Sequence, residues 1–138
     1  MAITQAMCTS FKSEVLQEGH QLATDTIKIA LYTSSASLDA TTTAYSSSNE
    51  VSGTGYTATG VTLTSTAVST TGTTAHFDAD DPTCTSASFT ANGALIYNSS
   101  NSNKAIAVLA FGGDFTVAGG TFKIVFPAAG STAIIRID

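Results

Sequence analysis

The chain has 138 residues, 43% of them apolar, enough for one domain with a single hydrophobic core of ordinary size. Only 11% are charged, the net charge is −5, and the five bases (Lys12, Lys28, Lys104, Lys123 and Arg136) are scattered, which excludes a phosphate-tracking stripe and with it a nucleic-acid partner. No apolar run has the length of a membrane-spanning helix, and Met1–Ala6 lacks the basic and apolar regions of a cleaved secretion signal, so neither a membrane partner nor export is expected.

Residues 5–18 carry the one helical pattern, with Met7, Phe11 and Val15 four residues apart and Leu16 widening the stripe. Gly19 supplies its stop. This stripe either closes an open end of a β core or docks on a neighbouring molecule. From Thr26 the period changes to two. Ile27, Ile29 and Leu31 share one face, with Lys28 and Tyr32 opposite, as in a half-buried strand. Residues 34–55 are rich in Ser, Thr and Ala and read as a surface excursion closed by Gly53 and Gly55. Strands are expected over 62–68 and 73–78, with a turn at Thr71-Gly72. Asp80-Asp81-Pro82 is a further turn.

A long strand follows over 86–97, with Phe89, Ala91, Leu95 and Tyr97 on one side. Gly93 inside it marks a bulge or a close approach of backbones. The polar run 98–103 turns into Lys104–Phe111, which is apolar on both faces and therefore central. Gly112-Gly113 and Gly119-Gly120 mark turns on either side of Phe115. In 121–127, Phe122, Ile124 and Phe126 alternate inward, and 133–138 reads as a terminal strand with a pinned end. The sum is an all-β fold, an antiparallel β-sandwich of seven to nine strands with a short N-terminal helix. It divides into an N-terminal arm, 1–25, and a β-sandwich domain, 26–138.

Little in the chain points to catalysis. His76, Asp78 and Asp80 alternate onto one side of an extended segment, a conceivable calcium site. They lack the spacing and glycine of a calcium loop, and a strand ending in an acidic turn needs no metal. Gly53–Gly60 departs from the dinucleotide fingerprint and precedes a strand pattern rather than a helix. His20 and His76 lie in no nucleophile-elbow context, and nothing local activates Cys8 or Cys84. Two cysteines make neither a disulfide framework nor a four-ligand zinc site, so free thiols are expected, with a single staple as the alternative. No catalytic residue, metal or cofactor is assigned. Sugar binding is the rival function, with Tyr32, Tyr45 and Tyr56 as stacking residues. Asn98-Ser-Ser100 matches a glycosylation sequon but reads as a turn.

Four blocks occur in order: Asp25–Thr33 (DTIKIALYT), Glu50–Tyr56 (EVSGTGY), Thr90–Asn98 (TANGALIYN) and Gly120–Pro127 (GTFKIVFP). Together with Ala133–Ile137 they resemble small virion proteins of tailed bacteriophages. Asp80-Asp81 before Pro82, and Cys84 where an aromatic is expected, depart from that pattern. The resemblance implies a particle protein, made in the host bacterial cytoplasm and located in the virion, without catalytic residues. It is of the cement type that decorates and stabilises a capsid, or of a neck, tail or fibre-associated type. Its partners would be the major capsid protein or other virion proteins, and it would form a homo-oligomer. A hydroxyl-rich surface suits such contacts, because hydroxyls exchange water for a neighbour's backbone groups at little cost. The arm and the 34–60 excursion are the candidate contact elements, with Phe11, Val15, Leu16, Tyr45 and Tyr56 as interface residues.

Overall fold

A computed structural model describes residues 3–17, 19–128, 130 and 133–137. Within them the fold is all-β and sandwich-like, with two antiparallel sheets and one short helix. The first sheet contains β1 (Ala6–Met7), β2 (Ile27–Tyr32), β3 (Val61–Thr62), β6 (Thr83–Asn98) and β7 (Lys104–Lys123), in the order β1-β7-β6-β2-β3. The second contains β4 (Ala67–Thr71), β5 (Thr74–Asp78) and β8 (Ile135–Ile137), in the order β4-β5-β8.

The β6–β7 hairpin organises the first sheet, and it has two unlike halves. Near its turn, Gly93–Asn98 of β6 are buried without interruption, as are Ala105–Val108 of β7. This half is flanked by β2 on one side and β1 on the other. Continuous apolar residues suit it, because both faces of both strands are covered. The turn is made by polar residues, with Ser102 and Asn103 at positive φ. Farther out, Thr83, Thr85, Ser88 and Thr90 of β6 are exposed, whereas Cys84, Ala87, Phe89 and Ala91 are buried. Here the ribbon is covered on one face only, and the alternation of hydroxyl and apolar residues records it.

A break in register separates the halves. Ala91 pairs with Phe115 but Gly93 pairs with Ala110, so β7 spends five residues where β6 spends two. Gly112 and Gly113, at φ +81° and +159°, accommodate the bend. The glycine pairs therefore mark distortions inside one long strand; Gly112-Gly113 and Gly119-Gly120 do not end it. Gly93 supplies the close approach expected of it: a Cβ there would lie 2.6 Å from the Leu109 carbonyl oxygen and 2.8 Å from the Ile3 side chain.

Other expectations need correction. The helix α1 spans only Thr9–Val15, because residues 6 and 7 are taken by β1, where Ala6 and Met7 pair with Val108 and Ala107. Strand pairing beyond the local window overrides the four-residue spacing of Met7 and Phe11. Within the segment 1–25, Cys8 and Phe11 belong to the same buried cluster as Ile29, Leu95 and Ile106. Strand β2 is buried on both faces rather than one, and Tyr32 lies in the core. The expected strand 62–68 is two pieces, β3 and β4, interrupted where Ser65 takes a positive φ. Over 121–127 the alternation holds, with Phe126 buried and Lys123 and Val125 exposed, although β7 itself ends at Lys123. Asp138, part of the expected terminal strand, lies outside the described residues.

Packing at Gly93 gives a direct test. Gly93→Ala forces a methyl against the Leu109 carbonyl and Ile3. The expected loss is about 1–3 kcal/mol, the cost of overpacking a tight interior. It is read as a lowered denaturant midpoint with an unchanged slope.

Candidate assembly surface

The residues singled out in the sequence separate into an inner, structural set and an outer, available set. Phe11 is inward, 1% exposed, with its ring edge-on to His20 at 4.9 Å between centroids. Val15 is half-buried against the core. Leu16, just past the helix, is 86% exposed and is the one member of the helical stripe that faces solvent.

Tyr56 is buried and Tyr45 half-buried, and a single carboxylate explains both. Glu50 accepts a hydrogen bond from the Tyr45 hydroxyl at 2.6 Å through Oε1, and from the Tyr56 hydroxyl and the Thr59 N–H through Oε2. The Tyr56 oxygen in turn accepts the Leu31 N–H. Tyr97 stacks on Tyr45 at 4.8 Å and donates its hydroxyl to the Thr59 carbonyl. Tyr32 donates to the Ser46 carbonyl. All four tyrosines of the chain therefore surround Glu50 or the loops it ties down. Thr59 sits at φ +81°, unusual for a β-branched residue, and is fixed through its N–H, its carbonyl and its Oγ1, the last accepting from Lys28. Burial first, and the Glu50 carboxylate after it, push the phenols of Tyr32, Tyr56 and Tyr97 up; Tyr45 is raised by the same two causes. These rings pin the 34–60 excursion to the sheet. Tyr32 and Tyr56 present no free face on which a sugar could stack.

The second polar knot locks the arm to the hairpin turn. The His20 side chain, fully buried, is 2.8 Å from Glu14 through Nε2 and 3.1 Å from the Asn98 amide through Nδ1. Asn98 Nδ2 also donates to Asp25, and its Oδ1 accepts the Ser100 N–H. With Asn98 donating to Nδ1, His20 carries its proton on Nε2 and gives it to Glu14. The sequon asparagine is thus a fully buried, fully committed turn residue. The Asp25 carboxyl is held below its ordinary value, chiefly by the Asn98 amide and then by the Gln21 N–H.

Both cysteines are buried free thiols. Burial, with Asp39 and Glu14 after it, pushes Cys8 up to about 11, and burial raises Cys84. Both shifts disfavour the thiolate, the nucleophilic form, near neutral pH. His76 turns toward the Thr71 hydroxyl at 3.0 Å instead of joining Asp78 and Asp80. No three His, Cys, Asp or Glu side chains converge as a metal site among the described residues, and no helix there is long and apolar enough to cross a membrane.

What remains available lies on the outer β6–β7 ribbon, which the sequence did not single out. Along it lies an open groove of about 460 Å³ lined by Phe111, Phe115, Val117, Phe122, Ile124 and Val125, with Thr116, Thr121 and Lys123. The aromatic rings interlock: Phe111 is 6.1 Å from both Phe115 and Phe122, and Phe122 is 5.1 Å from Phe89. Beside the groove runs the edge of β7 from Phe115 to Lys123, which pairs with β6 on one side and with no other strand among the described residues. The outer edge of β6 is covered, because Thr54 pairs with Ser88. Comparison with protein-family models, with curated proteins and with solved structures gives no match.

The tyrosine knot makes two predictions. In the folded protein no tyrosine should ionise near the ordinary value of about 10, so the ultraviolet phenolate signal should appear only with alkaline unfolding. The sign follows from linkage: phenols raised by folding favour the folded state below their unfolded value and lose that contribution as pH rises through the folded one. Glu50→Ala orphans two hydroxyls and one N–H and should cost about 2–4 kcal/mol in urea unfolding, with Glu50→Gln costing less.

Proposed function

We propose that this chain is a non-catalytic structural subunit, most specifically a cement protein that binds and stabilises a bacteriophage capsid. The observation that carries the assembly part is the outer ribbon, where an apolar groove open to solvent runs beside an unpaired strand edge. A shallow groove with an adjacent edge fits recognition by another polypeptide, through backbone ladder bonds and side-chain pockets, better than it fits enclosure of a small substrate. The protonated, buried thiols and the engagement of both ring nitrogens of His20 support a role without turnover. The surface is hydroxyl-coated and sparsely charged, and β4 is exposed along its whole length, which suits contacts that must form over broad, neutral seams.

The bacteriophage part rests on the resemblance of the four sequence blocks and on the closing Ala133–Ile137. Under this reading the major capsid protein is the partner. Leu16, exposed at the end of α1, is the contact the arm offers, while Phe11, Tyr45 and Tyr56 hold the fold beneath. Of the stacking residues of the sugar-binding alternative, Tyr32 and Tyr56 are buried and Tyr45 is half-buried with its ring stacked on Tyr97.

Quantitative mass spectrometry of purified particles tests the proposal. A cement protein should be present at on the order of hundreds of copies, and a neck or tail component at about a dozen, following the symmetry of each substructure. Leu16→Asp should lower occupancy on particles without changing the melting temperature. Absence of the chain from particles rejects the particle reading.

A further inference from the structure

We propose that the outer edge of β7 is a homodimer interface, in which two copies pair antiparallel about a two-fold axis between Ala118 and Gly119. This goes beyond membership of any particle, because it concerns the free protein.

The open edges of the two sheets differ in length. Strands β1 and β3 have two residues each and β8 has three. Short edges of this kind template little. Strand β4 has five residues and no charged residue among them to fix a register. The stretch Phe115–Lys123 is nine residues long and flanked by aromatics, with Phe115 54% and Val125 72% exposed. It has neither a proline nor an inward-pointing charge to blunt it.

The occupant is identified by self-complementarity. Placing the axis between Ala118 and Gly119 sets Asp114 opposite Lys123 of the second copy, Phe115 opposite Phe122, Thr116 opposite Thr121 and Val117 opposite Gly120. Three of the four are favourable cross-strand combinations: opposite charges, two aromatics, two threonines. Two-fold symmetry makes every one of them twice.

Such a register works only if opposed residues lie on the same face of the ribbon. Residues separated by an odd number along a regular strand face opposite ways. Here a bulge supplies the correction. Val117 pairs with Phe89 and Gly120 with Ala87, two β6 residues on one face, so the chain inserts one extra residue between them. That residue is Gly119, at φ +65°, with its N–H donated to the Ser88 hydroxyl. Past the bulge, Phe122 pairs with the buried Cys84 and so returns to the face of Phe115 and Val117, whose partners Ala91 and Phe89 are buried too. Thr116 and Thr121 share the other face, where Thr90 bonds Thr116 at 2.8 Å.

The charges at the ends are available for the pairing. Asp114 is exposed, and the Asn92 amide orients it by donating to its Oδ1 at 2.9 Å. Lys123 is half-exposed and only 3.9 Å from Asp81, a loose contact that a closer partner can supplement.

Sedimentation velocity on the full chain, followed by register-specific cross-linking, tests the pairing. At about 50 µM, where a complex of micromolar affinity is largely formed, the expected species is a dimer. The double variant Thr116→Cys/Thr121→Cys should oxidise to a covalent dimer. Neither single variant should, since like residues of the two copies would then stand roughly 15 Å apart in this register. Lys123→Glu should weaken the dimer roughly tenfold by placing two like-charge pairs across it, and Asp114→Lys combined with Lys123→Glu should recover most of that loss. A chain that is monomeric at this concentration overturns the interface. A dimer whose double-cysteine variant fails to cross-link while keeping the wild-type melting temperature overturns the register and with it the proposal. Neither result depends on whether the protein is found in particles.

Discussion

Pairing of β6 with β7 is the constraint on which the remaining structure is arranged. It runs from Asn98 and Lys104 at the turn to Thr83 and Lys123 at the far end. One hairpin therefore supplies both the centre of the main sheet and its exposed extension. The inner half is sealed by β2, β1 and α1, and it contains the large buried side chains Leu95, Ile96, Tyr97, Ile106 and Val108. Burying an aliphatic or aromatic side chain of this kind is worth about 1.5–3 kcal/mol each, so the inner half contributes a large share of the driving force for folding. Its apolar surface is spent on the core. The outer half is covered on one face only, and Phe115 and Val125 are left to solvent.

Two polar knots decide how the rest of the chain is laid over that hairpin. The Glu50 carboxylate gathers Tyr45, Tyr56 and the Thr59 N–H, so a Ser- and Thr-rich excursion with few large apolar groups is held in one path. His20 and Asn98 join the segment after α1 to the hairpin turn. Partly buried carboxylates are costly unless their oxygens are bonded, and both knots meet that condition. Their effect is positional: charge-assisted bonds are directional, whereas the alanine-rich interior of β6 and β7 specifies position less sharply.

Much of this was legible in the residues, and the exceptions have identifiable causes. Two-residue alternation marks the outer half of β6 because a half-covered strand must alternate; it locates β2 as well, although that strand is buried on both faces, and continuous apolarity at 104–111 marks the central strand. Gly93 was readable because a glycine inside a strand commonly marks a place where something comes close. The helix was overextended because Ala6 and Met7 fit a helical stripe as well as a strand, and only pairing with Val108, a hundred residues away, separates the two. Glycine pairs in β7 were read as turns because the same positive φ serves a turn and a bulge. The interface residues follow in the sequence from the apolar stripe of the arm (Phe11, Val15, Leu16) and from the tyrosines of the 34–60 excursion (Tyr45, Tyr56). Nothing in the local sequence reveals that Glu50 recruits Tyr45 and Tyr56, since that depends on a loop returning across β2. For the same reason Phe115 and Phe122, which do reach the surface groove, were seen only as strand residues.

The sparse charge of the chain gives the exposed ribbon its significance. A monomer that leaves a strand edge open normally protects it with lysines, prolines or inward-facing charges, and here the edge residues between Asp114 and Lys123 include none of these. Polar protection is supplied by threonine instead, and threonine does not repel a second strand: its hydroxyl bonds readily to a neighbour, as Thr90 and Thr116 already do within the ribbon. The opposite charges at the two ends of the edge disfavour parallel pairing, which would set Asp114 against Asp114, and favour the antiparallel arrangement, which sets it against Lys123. The Gly119 bulge then selects among antiparallel registers, because only those that count the extra residue bring the phenylalanines onto a common face. An edge that is open, neutral along its length and marked at its ends is one that admits a partner in a single orientation.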